Sequence, residues 1–271
     1  MRVAAIQMNS GPDVRANLGL AGRLLAEAAA GGCALAALPE NFALMPARGR
    51  DKAQHAEEPG GGPIQDFLEA TASEHGIWIV AGSMPLVSPE IENERVYGAC
   101  PVYDTDGAVR AVYRKIHLFD VDLVDKGESY RESNSMYPGD EPVAVDTPAG
   151  RLGLTICYDL RFPELYRRLV DDDATLFTVP AAFTATTGKA HWHTLLRARA
   201  IENLAYVIAP GQYGTHPDNR ATFGHSLICD PWGRILAEQA EGNCVVAADI
   251  DPDLPARLRS EFPALTNRRL G

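Results

Sequence analysis

The order in which apolar runs and helical patterns follow one another limits this chain more than any other feature. "VAAIQM", "ALAALP" and "IWIVAGSMP" are short apolar or β-branched runs of the kind that makes buried strands. Between them lie segments with helical spacing. "ANLGLAGRLLAEAAAGG" ends on a Gly-Gly stop, and "GPIQDFLEATASEHG" opens with Pro63 and closes on Gly76. The remainder is richer in strands: "VYGACPVYD", "RAVYRKIHL", "VAVDTP", "RLGLTIC", "ATLFTVP", "AYVIAP", "FGHSLICDPWG", "RILAEQ" and "CVVAADID". Two more helices interrupt them, "FPELYRRLVDDD" with Pro163 as its first residue and the amphipathic "AHWHTLLRARAIENL". Asp106-Gly107 reads as a hairpin turn, and Pro231 and Gly233 read as another. Such alternation suggests an α/β fold in which sheet layers are covered by helices. No fixed repeat or linker divides it, so a single domain over residues 1–271 is expected.

Composition narrows the partners. A net charge of −11 argues against nucleic acid and anionic membranes, which would want a basic face. Cys33, Cys100, Cys157, Cys229 and Cys244 are odd in number and widely spaced. They fit free thiols in a reducing compartment better than a disulfide or zinc framework. "MRVAAIQMNSG" is too short in its apolar part for a signal peptide, and no run is long enough to span a bilayer. The expectation is a cytoplasmic protein.

Three residues stand out by position. Cys157 leaves the apolar run "LGLTI" just before a helix, where backbone N–H groups and a positive helix end would lower its pKa and favour the thiolate. The other four cysteines read as small buried hydrophobes. Glu40 ends "CALAALPEN", another apolar strand that runs straight into a carboxylate. Apolar walls there would raise its pKa and suit it to move protons near neutrality. In "AVYRKIHLFD", alternation puts Tyr113, Lys115 and His117 on one face, so Lys115 could point into a cleft and hold a developing oxyanion. Taken one at a time, Glu40 reads as a surface glutamate and Lys115 as an edge-strand lysine; taken together they form a nucleophile, a base and an electrophile.

The segments "LPEN" (38–41), "YRKIHLFDVD" (113–122) and "LTICYDLRFPELYR" (154–167) resemble the three signature segments of the nitrilase, or carbon–nitrogen hydrolase, superfamily. The likeness continues through "RESNSMYPGD", "PAAFTATTGKAHWHTLLRARAIEN" and "GHSLICDPWG", and so covers nearly the whole chain. It implies an αββα sandwich pairing into a homodimer or larger oligomer. It also implies Glu40 as general base, Lys115 as oxyanion-stabilising lysine and Cys157 as nucleophile forming a thioester, with ammonia released from an amide. Backbone N–H of Tyr158 would share the oxyanion. Glu132 stands where the Nit branch carries a second glutamate, orienting substrate or Lys115. By the same resemblance Arg161, Phe183 and Thr187 match residues that bind small keto-acid amides. Arg161 is also suited by its chemistry to a bidentate carboxylate contact.

The substrate expected is a small amide bearing a carboxylate. The deaminated glutathione amidases of the Nit branch are the nearest match and the ω-amidases come second; carbamoylase and nitrilase chemistry remain open, as does a binding module without catalysis. Two features depart from the pattern: His193, where the relatives usually have Glu after "HW", and the segment 212–222. No cofactor is expected. His191, His193 and His117 lack metal-ligand spacing, so no metal site is expected from them. A papain-like pairing of Cys157 with His117 or His225 would leave Glu40 and Lys115 unexplained.

Overall fold

The structure, a computed structural model, describes residues 1–46, 49–88, 95–123, 128–217 and 219–270. Two large sheets form its centre. The first contains β1 (Arg2–Gln7), β2 (Cys33–Ala37), β3 (Trp78–Val80), β4 (Met84–Leu86), β5 (Val96–Tyr103), β6 (Val109–Arg114), β9 (Met136–Tyr137) and β18 (Cys244–Asp249). Their order is β18-β1-β2-β3-β5-β4, with β6 and β9 both pairing β5. The second sheet runs β10 (Ala144–Thr147), β11 (Gly150–Leu154), β12 (Leu176–Thr178), β13 (Tyr206–Ala209), β16 (Ser226–Cys229) and β17 (Ile235–Gln239). Two small hairpins complete the strands: β7 (Asp120–Leu123) with β8 (Glu128–Arg131), and β14 (Tyr213–Thr215) with β15 (Ala221–Phe223).

Each sheet has a parallel centre, β1-β2-β3 in one and β11-β12-β13 in the other, because a helical crossover joins successive strands. Helices α1 (Val14–Ala30) and α2 (Pro63–His75) cover the first sheet, and α3 (Pro163–Asp171) and α4 (Ala185–Asn203) cover the second. Helix α5 (Leu254–Glu261) follows β18. Local chemistry sets the helix ends. Asp13 caps α1 by accepting from the Ala16 N–H at 3.0 Å, and Gly76 closes α2 in the left-handed conformation at φ 59°. Thr184 caps α4, which therefore begins at Ala185, five residues before "AHWHTLL".

Alternation on the strands sorts side chains into two cores. Ala4 and Ile6 of β1 face Leu24, Leu25 and Leu68 beneath the first helix layer. Val3 and Ala5 belong instead to the core shared with strands of the other sheet, among them β11 to β13 and β16. The layers are thus helix, sheet, sheet, helix: the αββα arrangement. The turns expected at Asp106-Gly107 and at Pro231–Gly233 are present, with Asp104 accepting from Gly107 N–H by its carbonyl and Gly233 at φ 78°. No described helix is long and apolar enough to cross a membrane.

Candidate active site

Glu40 and Cys157 occupy matching places, each three residues beyond a parallel strand, β2 in one sheet and β11 in the other. Carboxyl ends of parallel strands are where open α/β sheets present functional groups. Lys115 immediately follows β6. Groups separated by 75 and 42 residues in the chain thus meet between the two sheets.

The Lys115 ammonium donates to Glu40 Oε1 at 2.8 Å and to both carboxylate oxygens of Glu132, at 3.0 and 2.8 Å. It is 2% exposed, and an ammonium so deeply buried is tolerable only with such partners. Glu40 Oε2 accepts from the Ala182 N–H at 2.8 Å, and the Cys157 thiol is hydrogen-bonded to the same carboxylate. Backbone contacts fix the carriers. Gln212 Nε2 donates to the Glu40 carbonyl at 3.1 Å. Gly82, at φ 60°, lets the chain pass beside Pro39, whose carbonyl oxygen a Cβ would meet at 2.1 Å. Cys157 donates its N–H to Pro180 O at 2.8 Å and sits at φ 49°, a left-handed conformation that strains a residue with a side chain. That strained turn opens the 3-10 segment Cys157–Arg161 and lifts the sulfur into the cavity.

Asp159 joins the lysine segment to the cysteine turn. Fully buried, its carboxylate accepts from Tyr113 Oη at 2.7 Å, from the Ile156 N–H at 2.8 Å and from the His117 N–H at 3.0 Å. The His117 ring nitrogen Nδ1 is 2.7 Å from it as well. Nothing in the sequence singled Asp159 out beyond its place in "CYDLR". Glu132 is held in turn by the Phe119 N–H, which donates to Oε2 at 2.7 Å. Its expected role of orienting Lys115 has this geometry behind it.

The electrostatics reverse two expectations. Burial on its own would raise the Glu40 carboxyl, but the Lys115 ammonium outweighs it and holds the acid below the ordinary glutamate value. Burial, reinforced by the Glu40 charge, pushes the Cys157 thiol well above its ordinary value, and Lys115 only partly opposes this. Lys115 itself is penalised by burial yet raised well above normal by Glu132 and Glu40. The resting site is therefore thiol, carboxylate and ammonium. Strand-end position alone pointed the other way because it left out the direct lysine–carboxylate contact.

Tyr158, Phe183 and Thr187 line the same cavity of about 170 Å³ as the three central groups. Phe183 packs on Trp192, and Thr187 Oγ1 lies 2.8 Å from Thr184 Oγ1 at the α4 cap. Arg161 is not part of the lining. Its guanidinium carbon lies 5.1 Å from the Phe183 ring centroid and 5.8 Å from that of Tyr158, and Nη1 is 3.3 Å from His191 Nδ1. Lys52, from the 3-10 segment Gly49–His55, and Arg220 do line the cavity, and the sequence reading picked out neither. No motif marks either; only the fold carries them there.

The histidines are spoken for elsewhere. His117 is bonded to Asp159 and stacks on Phe162 at 3.7 Å, so it does not serve Cys157. His193 and His225 share Glu238 Oε1 at 2.7 and 2.6 Å. Among the described residues this trio alone has metal-ligand character, with donor atoms within 4.8 Å of one another, and its hydrogen bonds satisfy it as it stands. The set His117, His191 and His193 is not brought together. Of segment 212–222, Asp218 lies outside the described residues.

The carbon-nitrogen hydrolase family profile matches residues 2–259. The chain belongs to that family. It is 42% identical to the deaminated glutathione amidase of Synechocystis over 267 residues, covering 98% of this chain and 97% of the relative. Against the Yersinia enterocolitica protein of the same name the identity is 39%, covering 98% and 92%. The crystal structure of the Caenorhabditis elegans NitFhit protein superposes with a TM-score of 0.90 at 36% identity, over 99% of this chain. This chain spans 65% of that longer one. Family and fold together make this carbon–nitrogen hydrolase an amidase with the nitrilase-superfamily sandwich.

Proposed function

We propose that this amidase hydrolyses deaminated glutathione through a cysteine thioester, with Glu40, Lys115 and Cys157 as its catalytic residues. One observation carries the chemistry: Glu40, Lys115 and Cys157 line one cavity, with the Lys115 ammonium 2.8 Å from the Glu40 carboxylate. Glu40 takes the thiol proton as sulfur attacks the amide carbon. The oxyanion that forms is received by Lys115, which exchanges a contact to Glu132 for it, and by the Tyr158 backbone N–H. Glu40 passes its proton to the nitrogen as the C–N bond breaks. It then takes a proton from water as water adds to the thioester, and returns it to sulfur as the C–S bond breaks.

The substrate assignment draws on the relatives' names and on charge. Cations Lys52, Lys115, Arg131 and Arg220 face carboxylates Glu40 and Glu132 across the cavity wall, in a protein of net charge −11. Such a wall favours an anion. We assign the acyl arm to the part of the cavity that Phe183 and Thr187 line. Its keto-acid carboxylate we assign to Arg161, whose guanidinium carbon lies 5.1 Å from the Phe183 ring centroid and reaches the arm by turning past that ring. The bond cleaved in deaminated glutathione is a substituted amide, so its leaving group is cysteinylglycine and not the ammonia expected above; ω-amides would release ammonia. We place the enzyme in the cytoplasm as a homodimer, with residues 1–271 as one catalytic domain.

The test is release of α-ketoglutarate and cysteinylglycine from deaminated glutathione by the purified protein, beside α-ketoglutaramate, an N-carbamoyl amino acid and a simple nitrile. Hydrolysis of the nitrile or carbamoyl compound in preference to both amides would overturn the assignment. A pH profile tests the roles. Because Glu40 is held below its ordinary value of 4.5, kcat/KM should not begin to fall until pH drops below about that value, where the base becomes protonated. An acid limb centred near pH 6 to 7 would contradict the ionised resting state.

A further inference from the structure

We propose that Lys52 is the receptor for a second carboxylate, carried on the leaving-group arm of the substrate. The assignment rests on the amidase reading above and adds to it a basis for choosing between substituted and simple amides.

Lys52 reaches the catalytic cavity from the segment Gly49–His55 and forms part of its wall. Among the described residues no hydrogen bond or ion pair reaches its ammonium. The charges of Glu132 and then Glu40 favour it, whereas those of Lys115 and Arg220 oppose it. Both carboxylates are already committed. Glu132 takes two bonds from Lys115 and one from Phe119, and Glu40 takes bonds from Lys115 and Ala182. Half-buried in that wall and without a direct partner, the ammonium is short of an anion, and burial lowers its pKa. A carboxylate from outside is what completes it.

The side of the cavity follows from the chemistry. Glu40 must hand a proton to the departing nitrogen, so the leaving-group arm extends from the Glu40 and Glu132 wall that Lys52 shares. Phe183, between β12 and α4, Thr187, in α4, and Arg161, at the end of the 3-10 segment after β11, come from connections of the second sheet and serve the acyl arm. Deaminated glutathione carries a glycine carboxylate at the far end of its leaving group; α-ketoglutaramate has the same acyl arm and only ammonia to lose.

The experiment compares kcat/KM for these two amides, and for the glycinamide form of deaminated glutathione, in wild type, Lys52→Met, Lys52→Arg and Arg161→Lys. Lys52→Met should lower the ratio of deaminated glutathione to α-ketoglutaramate about 10- to 100-fold, mainly through KM, as loss of a charge-assisted contact does. Lys52→Arg should restore part of that ratio, and the glycinamide form should be indifferent to the substitution. Arg161→Lys should weaken both amides together. Equal losses on both substrates in Lys52→Met, or a loss confined to kcat, would show a lysine that merely holds Glu132 and would overturn the proposal. A wild type inert toward every amide tested would overturn the functional reading and this assignment with it, whereas an active wild type whose preference survives Lys52→Met overturns this assignment alone.

Discussion

Lys115→Met should abolish turnover and lower the melting temperature by roughly 10 °C. The two losses have different origins. Activity goes because the oxyanion loses its cation, and because Glu40, no longer held ionised, cannot take the thiol proton at neutral pH. Stability goes because Glu40 and Glu132 are left facing each other in a buried site without the ammonium that lies 2.8 Å from each. Breaking a buried ion pair from one side costs about 3–5 kcal/mol, and for a chain of this length each kcal/mol moves the midpoint by about 2–4 °C. The pH dependence supplies a second check. In the variant Glu40 loses the ammonium that held its carboxyl low, while burial still raises it, so it takes up a proton as pH falls and the gap to wild type should narrow toward acid. Differential scanning calorimetry at pH 7.5 and pH 5 measures both. A variant within 2 °C of wild type at neutral pH, by the scale just used, would mean the lysine does not bridge the two acids.

Cys157→Ala should lower kcat by at least about four orders of magnitude, since no thioester can form and loss of a nucleophile in a covalent mechanism has effects on that scale. A companion, Cys157→Gly, separates chemistry from strain. Both are inactive, but at φ 49° only glycine is relaxed, so the Gly variant should be more stable than the Ala variant by about 1 kcal/mol in urea unfolding. Full turnover in Cys157→Ala would remove the mechanism. An Ala variant more stable than the Gly variant would remove the strained turn as the device that presents the sulfur.

How much of this was legible beforehand differs from residue to residue. The helices over Val14–Ala30, Pro63–His75 and Pro163–Asp171 could be read because proline, Gly-Gly and left-handed glycine mark their ends locally. Alternation gave the inward face of Tyr113 and Lys115, both of which are buried. Acidity could not be read this way. A strand-end thiol looks activated and a walled carboxylate looks raised, yet contact with Lys115 decides the state of Glu40, and Glu40 that of Cys157. His193 drew notice as an oddity, but its partners His225 and Glu238 are 32 and 45 residues away.

The amino-acid order by itself determined most strands of the two large sheets, helices α1 to α4 and the three segments that end in Glu40, Lys115 and Cys157, since period and punctuation act over a few neighbouring residues; it marked neither α5 nor the hairpins β7–β8 and β14–β15. Only the packed molecule decided which charges meet. The parallel strands of two sheets deliver their carboxyl ends to one gap, where Coulomb energy and burial, both set by distances between chain segments far apart in order, assign each proton its place and bring Lys52 to the wall.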